Sequence, residues 1–440
     1  MLKYMIKTYG CQMNIHESEK IAGILKKYGF EETDNIDEAN AIVFNTCCIR
    51  EGAETKIFSN IGAVKPIKKK KKNLIVAVMG CMTQQKKSAE NLKAKFPWID
   101  IIIGTYNSDE FESYFVKALK DKKKSFEVLD KELDIIENND FYRTSGDNAW
   151  VNIMYGCNNY CTYCIVPYVR GRERSRKSEF IIEECKSLIA QGYKQITLLG
   201  QNVNSYGNDR EDELSFPMLC KKICALDGDF RLKFMTSHPK DFSSELIDVI
   251  MSEEKMSKVV HLPCQSGSNR ILKLMNRKYT VEDYKSKIDE LKSKIPYVSI
   301  TSDFIVGFPS ETEEDFNETV NLVKYVQYNS IFAFIYSKRS GTVAEKMENQ
   351  IDLATKRKRV NILLDTQKEI TANKNKNLVG FVCDCLLQER RSKKIMVSES
   401  GLSITLENYD GLELRRFYKI KITKLENKKI YGEILSREGN

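Results

Sequence analysis

Between residues 150 and 336 the chain repeats one pattern six times, a short apolar, β-branched run that is nearly always followed by a polar helical stretch. The runs lie at 150–155, 195–199, 231–236, 258–262, 298–306 and 331–336. Alternation of this kind makes a parallel sheet, because parallel neighbours need a crossover long enough to hold a helix. Six such units predict a partial (β/α)6 barrel, an architecture whose chemistry sits on the loops after the strands' carboxyl ends.

A chain of 440 residues exceeds what a single core usually supports, and two further regions differ in pattern from the barrel. Up to about residue 116 three strand-like runs, 4–9, 41–45 and 74–79, alternate with helical stretches, and each run leads to a cysteine. If these strands are parallel, Cys11, Cys47 and Cys81 leave one sheet at the same edge. Residues 117–148 carry lysines, mixed acids and Thr144-Ser145-Gly146-Asp147-Asn148, which read as a helix end and a linker. A long polar helix is expected over 344–374, and short alternating runs at 380–387 and 418–423 predict a small β-barrel. The lysine run 68–72 reads as a solvated loop. The expected domains are therefore 1–118, 143–373 and 375–438, in a fold of the α/β class.

Seventy basic against sixty-one acidic residues give a net charge of +9, which suits a polyanionic partner. No apolar run reaches the roughly 20 residues that span a bilayer, and the amino terminus runs straight into strand-like sequence. A cytoplasmic chain with no membrane span is expected. Thirteen cysteines in a reducing compartment point to metal ligation in preference to disulfides.

The first barrel loop reads Cys157-Asn158-Asn159-Tyr160-Cys161-Thr162-Tyr163-Cys164, three thiols separated by three and then two residues. Structural zinc takes four protein ligands and catalytic zinc often three. The nearest other cysteine, Cys185, falls in a helical stretch, so zinc is the weaker reading. A cubane iron–sulfur cluster held by three cysteines keeps one iron open, able to chelate an amine and a carboxylate.

This Cys-x3-Cys-x2-Cys loop, with Tyr163 ahead of the third cysteine, resembles the radical S-adenosylmethionine superfamily. Wider matches are similar to its MiaB-type tRNA methylthiotransferases: Thr8-Tyr9-Gly10-Cys11-Gln12-Met13-Asn14, Asn45-Thr46-Cys47, Gly80-Cys81, and the segment from Pro167 to Arg176. The likeness continues through Leu199-Gly200-Gln201-Asn202, Thr236-Ser237-His238-Pro239, His261-Leu262-Pro263-Cys264 and Ser302-Asp303-Phe304-Ile305-Val306-Gly307. It implies a methylthiotransferase domain, a radical barrel and a terminal TRAM domain. It also implies two 4Fe-4S clusters, one on Cys157, Cys161 and Cys164 and an auxiliary one on Cys11, Cys47 and Cys81. S-adenosylmethionine is expected along Tyr163, Gly200, Gln201, Ser237, Asp303 and Gly307, with no catalytic side chain beyond the cluster ligands. Cys48 is an extra thiol beside Cys47, and Val343 stands where the family usually has proline. A glycine associated with the terminal domain is missing before Tyr418.

Arg170, Arg172, Arg174 and Arg176, spaced by two, would present their guanidiniums on one side of an extended segment and contact RNA. In the terminal barrel Arg390, Arg391, Lys393, Lys394, Arg415, Arg416 and Tyr418 mix charge with an aromatic, as nucleic-acid-binding barrels do. The resulting expectation is a monomeric enzyme that places a methylthio group on carbon 2 of N6-isopentenyladenosine next to the anticodon of tRNA. It would be served by an electron donor and a sulfur source. The rival expectations are methylthiolation of threonylcarbamoyl-adenosine or of a ribosomal-protein aspartate, and a non-catalytic zinc-dependent RNA-binding module.

Overall fold

Neighbouring parallel strands carry the three amino-terminal cysteines. In the computed structural model, which describes residues 1–48, 53–131, 133–137, 141–143, 146–390 and 392–437, six strands form the first sheet. They are β1 (Leu2–Thr8), β2 (Phe30–Glu32), β3 (Ala41–Thr46), β4 (Ile75–Gly80), β5 (Ile101–Ile103) and β6 (Ser125–Glu127), in the order β2-β1-β3-β4-β5-β6 and parallel throughout. Every residue of β3 and β4 is buried, since one core holds Ile42, Phe44, Val76 and Val78 and the opposite one Ala41, Val43, Ile75 and Ala77.

The sequence pattern missed β2, β5 and β6, each only three residues long. β6 falls inside the stretch read as helix end and linker; Thr144 and Ser145 of that linker lie outside the described residues. The lysine run begins as the end of helix Lys65–Lys70, where Lys68 Nζ pairs with Asp100 Oδ2 at 2.6 Å, and only Lys71 and Lys72 lie in the loop beyond it.

The six central runs all become strands. β7 (Asn148–Asn152) is followed by the short antiparallel pair β8 (Met154–Tyr155) and β9 (Arg174–Ser175), which closes the cysteine-bearing excursion at its base. Then come β10 (Gln195–Leu199), β11 (Arg231–Phe234), β12 (Val259–His261), β13 (Ser299–Val306) and β14 (Ser330–Ile335). They make two parallel halves, β11-β10-β7 and β12-β13-β14, joined by a single parallel bridge between Leu232 and Met256. Capping boxes start the helices Val281–Lys294 and Glu313–Val326 at Thr280 and Thr312. The polar helix expected over 344–374 runs from Leu353 to Lys376, after a 3-10 turn at Val343–Lys346.

β15 (Val382–Arg390), β16 (Lys393–Ser398), β17 (Ser403–Leu406), β18 (Phe417–Glu426) and β19 (Lys429–Arg437) close into a barrel in the order β15-β16-β17-β19-β18. This barrel sits at the amino-terminal ends of the central strands. Lys258 N–H donates to Glu399 O at 2.9 Å, and Arg231 donates to Asp384 O at 3.0 Å and to Val397 O at 3.2 Å. The opposite, carboxyl end is left to the cysteine loop. No helix among the described residues is long and apolar enough to cross a membrane.

Candidate active site

Cys11 precedes helix Gln12–Lys27, Cys47 follows β3, and Cys81 opens helix Cys81–Gln84 directly after β4. Because β1, β3 and β4 are neighbours, with Thr8 opposite Asn45 and Thr46 opposite Gly80, the three cysteines leave one sheet edge side by side. A Cβ added at Gly10 would stand 3.1 Å from Cys47 Sγ, so the Cys11 loop lies directly on Cys47. Gly80 holds φ +109°, and a Cβ there would stand 2.4 Å from Thr46 O, so only glycine lets β4 turn into Cys81 beside β3. Buried amides fix the edge from below. Asn14 Nδ2 donates to Asn45 Oδ1 at 2.9 Å, Asn45 Nδ2 donates to Asn14 O at 2.9 Å, and Cys11 Sγ donates to Asn14 Oδ1 at 3.4 Å.

Cys48 belongs to this site too. Its thiol is hydrogen-bonded to Cys81 and is pushed up by that bond and by burial. Cys81 moves the other way, to about 6, through the same bond and, against burial, through the Arg170 guanidinium. Arg170 is only 7% exposed; burial opposes its charge, but Cys81, Cys11 and Glu17 more than offset it. It arrives on helix Val166–Arg170, whose Val169 packs into the amino-terminal core together with the preceding Ile165. The central barrel thus supplies the cation that faces the amino-terminal cysteines.

On the barrel loop, Gly156 has φ +79° and no room for a Cβ, which would overlap the carbonyl of Arg172. Cys157 N–H then donates to Gly171 O at 3.1 Å, and Cys164 N–H donates to Cys161 O at 2.9 Å. Residues 274–277, more than a hundred positions away, hold the loop in place. Thr162 Oγ1 donates to Leu274 O at 2.9 Å, Asn276 Nδ2 donates to Tyr160 O at 3.0 Å, and Arg277 Nη1 donates to Cys161 Sγ at 3.4 Å. Arg277 is further fixed by Tyr279 OH at 2.9 Å and Pro263 O at 2.8 Å. Burial pushes the Cys157 thiol up to about 11 and the Cys164 thiol up to about 12. Three thiols on one loop, with the Arg277 guanidinium beside Cys161, match in number a cluster that binds through three cysteines. Among the described residues no three His, Cys, Asp or Glu side chains close on one point as the ligands of a single metal ion do.

The remaining residues expected to bind cofactor sort unevenly. Gln201 links the two cysteine sites, because its Oε1 accepts from Gly156 N–H and its Nε2 touches Met13 Sδ, two residues from Cys11. Ser237 is buried, and its Oγ has no hydrogen-bond partner among the described residues, which leaves a polar atom for a ligand. Tyr163 packs beside Phe308 and Tyr336, and Gly200 lies against Met154. Gly307 is occupied otherwise: its N–H donates to Glu311 Oε2 at 2.7 Å, and the Lys356 stem fills the space where its Cβ would be. Asp303 lies part way along β13, 3.6 Å from His261 Nε2.

The row of four arginines is not a row. The segment is a helix, a turn at Gly171 and the short strand β9, so the guanidiniums diverge. Arg170 turns inward to the cysteines. Arg176, 4% exposed, pairs with Glu184 at 2.8 Å and Glu137 at 2.7 Å. Arg172 is exposed, and Arg174 is half-buried and donates to Leu133 O. In the terminal barrel Arg390, Lys393 and Lys394 are exposed on one hairpin and Arg391 lies outside the described residues. Tyr418 is buried, its OH accepting from Glu413 N–H at 2.9 Å, so it offers no stacking face. Arg415 pairs with Asp147 and Arg416 with Glu413.

Residues 3–104 match the uncharacterized protein family UPF0004, and residues 151–323 match the Radical SAM superfamily. Among solved structures the chain is similar to the radical S-adenosylmethionine methyltransferase TsrM from Kitasatospora setae, with a TM-score of 0.60 at 14% identity, covering 78% of this chain and 75% of that one. The cobalamin-dependent radical enzyme OxsB aligns with a TM-score of 0.54 at 13% identity, covering 85% of this chain and 56% of that one. Both likenesses concern the fold. Two curated relatives carry the name tRNA-2-methylthio-N(6)-dimethylallyladenosine synthase. The one from Clostridium botulinum is 46% identical over 98% of this chain and 95% of its own length. The one from Clostridium perfringens is 48% identical over 98% and 97%. At that identity and coverage, with both cysteine trios in place, the chain belongs to the family of the tRNA-2-methylthio-N(6)-dimethylallyladenosine synthases.

Proposed function

We propose that this protein transfers a methylthio group to carbon 2 of N6-isopentenyladenosine in tRNA, using S-adenosylmethionine and two 4Fe-4S clusters. The observation that carries the reading is the meeting of two cysteine trios across one short helix. Cys157, Cys161 and Cys164 lie on the barrel, Cys11, Cys47 and Cys81 lie on the sheet edge, and Val166–Arg170 joins the two sites. When bound, the clusters and S-adenosylmethionine supply a radical able to remove an unactivated hydrogen, and a methylated sulfur to replace it.

The chain's own residues position and insulate that chemistry. Arg277 and Arg170 each place a fixed guanidinium against one trio, where it would offset the charge of thiolates bound to a cluster. Tyr163, Gly200, Gln201 and Ser237 hold S-adenosylmethionine, with Gln201 reaching from one trio to the other. Asn276 and Thr162 keep the cysteine loop closed over the barrel mouth. Arg172 and Arg174, together with Arg390, Lys393 and Lys394, contact RNA, and the terminal barrel is a TRAM domain. The working units are 1–118, 143–373 and 375–438, in a monomeric cytoplasmic protein supplied by an electron donor and a sulfur source. Mass spectrometry of tRNA nucleosides from a deletion strain tests the reading. Isopentenyladenosine lacking its methylthio group should accumulate, with threonylcarbamoyl-adenosine derivatives unchanged. Loss confined to the latter moves the protein to the sister activity.

A further inference from the structure

The barrel lumen carries two aromatic side chains that the chemistry above leaves unused. Along β14 the residues alternate: Ile331 lies in the core under the helices with Ala333 and Ile335 packed against it, so Phe332 and Phe334 take the other face. Each is 53% exposed, although phenylalanine is ordinarily a core residue. On β13 the same alternation buries Ile300, Phe304 and Val306 and leaves Asp303 and Ile305 on the lumen face. The strand register sets Asp303 beside Phe332 and Ile305 beside Phe334. His261 completes the patch from β12, its ring edge-on to Phe332 at 6.1 Å and its Nε2 3.6 Å from Asp303 Oδ1.

We infer that Phe332 and Phe334 form the wall against which the N6-prenylated adenine of the substrate RNA is held, with His261 and Asp303 along its polar edge. The inference rests on the functional reading above and assigns Asp303 to the substrate. A purine offers a flat π-face to an aromatic wall, and the prenyl group offers apolar surface next to Ile305. A polar pair adjoining two exposed rings matches the mixed surface of such a base better than it matches an apolar protein face. The wall stands inside an incomplete barrel, on the concave side of the sheet, which a single extruded nucleoside reaches and a flat protein surface does not.

Binding of two anticodon stem-loop RNAs to the anaerobically reconstituted full chain tests this, one bearing N6-isopentenyladenosine and one bearing adenosine. The wild type should prefer the prenylated RNA. Joint replacement Phe332→Ala and Phe334→Ala should weaken binding of the prenylated RNA roughly tenfold, within the range that base–aromatic stacking contributes, and bring the ratio of the two affinities toward one. Phe332→Leu and Phe334→Leu keep apolar bulk without a π-face and serve if the alanine pair loses iron. They should give an intermediate ratio. A wild-type ratio in both double variants overturns the inference. So does an equal loss of S-adenosylmethionine affinity without RNA, measured by calorimetry, which would give the wall to the cofactor. If the wild type itself shows no preference, the functional reading fails, and the wall assignment with it.

Discussion

A buried guanidinium stands against each cysteine trio, Arg277 on Cys161 and Arg170 on Cys81. Both were hidden in the sequence for the same reason: their partners come from distant segments, so no local spacing announces them. Arg170 even stood in a pattern that suggested RNA, because a two-residue spacing exposes one face only if the backbone is extended, and here it is helical. A positive charge near a cluster favours its reduced, more negative form. Arg277→Gln should therefore retain iron but show a more negative midpoint potential in an electron-paramagnetic-resonance titration, with Arg277→Lys intermediate. An unchanged potential would confine Arg277 to holding the loop. The adjacent pair Cys47 and Cys48 makes a second contrast. With two clusters, reconstitution should give about eight irons per chain. Cys48→Ala, which removes its hydrogen bonds to Cys81 and Gln85 and a little core packing, should keep them, and Cys47→Ala should lose about half. The reverse result would exchange the two roles.

Strand ends were the legible part of the fold, because a buried parallel strand must be a continuous apolar run and its crossover must be a helix. β3 and β10 emerge where the pattern put them, and the three amino-terminal cysteines share an edge because β1, β3 and β4 are adjacent. Order within the sheet was not legible, since alternation fixes direction and leaves neighbours open. Three-residue strands such as β5 are too short to show a period, and the polar edge strand β6 hides in lysine-rich sequence. The turn from β4 into Cys81 depends on Gly80, whose backbone at φ +109° and ψ −162° is open essentially to glycine alone and whose Cα faces the Thr46 carbonyl. Gly80→Ala should cost about 1–3 kcal/mol from the backbone alone, with the overlap added, and should lower amino-terminal iron content while sparing the barrel loop. Chemical denaturation and iron analysis measure both effects.

The amino-terminal domain and the barrel are locked by a buried ionic cluster. Arg143 donates to Glu19 at 3.1 Å and pairs with Glu184, which also meets Arg176 at 2.8 Å, and His16 Nε2 faces Glu184 at 3.6 Å. Burial, aided by both arginines, lowers His16 from 6.5 to about 4. Burial alone would raise Glu184, but His16 and the arginines hold it at about 2. Both groups bind fewer protons folded than unfolded, so stability is full above pH 6.5 and falls as pH drops toward 4 through His16, then further below about 4.5 through Glu184. His16→Gln should flatten the first of these losses in urea titrations, and an unchanged slope would place the pH dependence elsewhere. The lock matters because each domain carries one cysteine trio, and the proposed chemistry has a separate task for each. Replacing Cys157, Cys161 and Cys164 together by alanine should abolish formation of 5′-deoxyadenosine. Replacing Cys11, Cys47 and Cys81 should leave dithionite-driven cleavage of S-adenosylmethionine intact and end transfer to RNA. Paired chromatography of 5′-deoxyadenosine and the modified nucleoside for both triple variants, with circular dichroism as the folding control, measures this division most directly. Cleavage without methylthiolation in the amino-terminal variant is the expected result; a folded amino-terminal variant that methylthiolates RNA at the wild-type rate would contradict it.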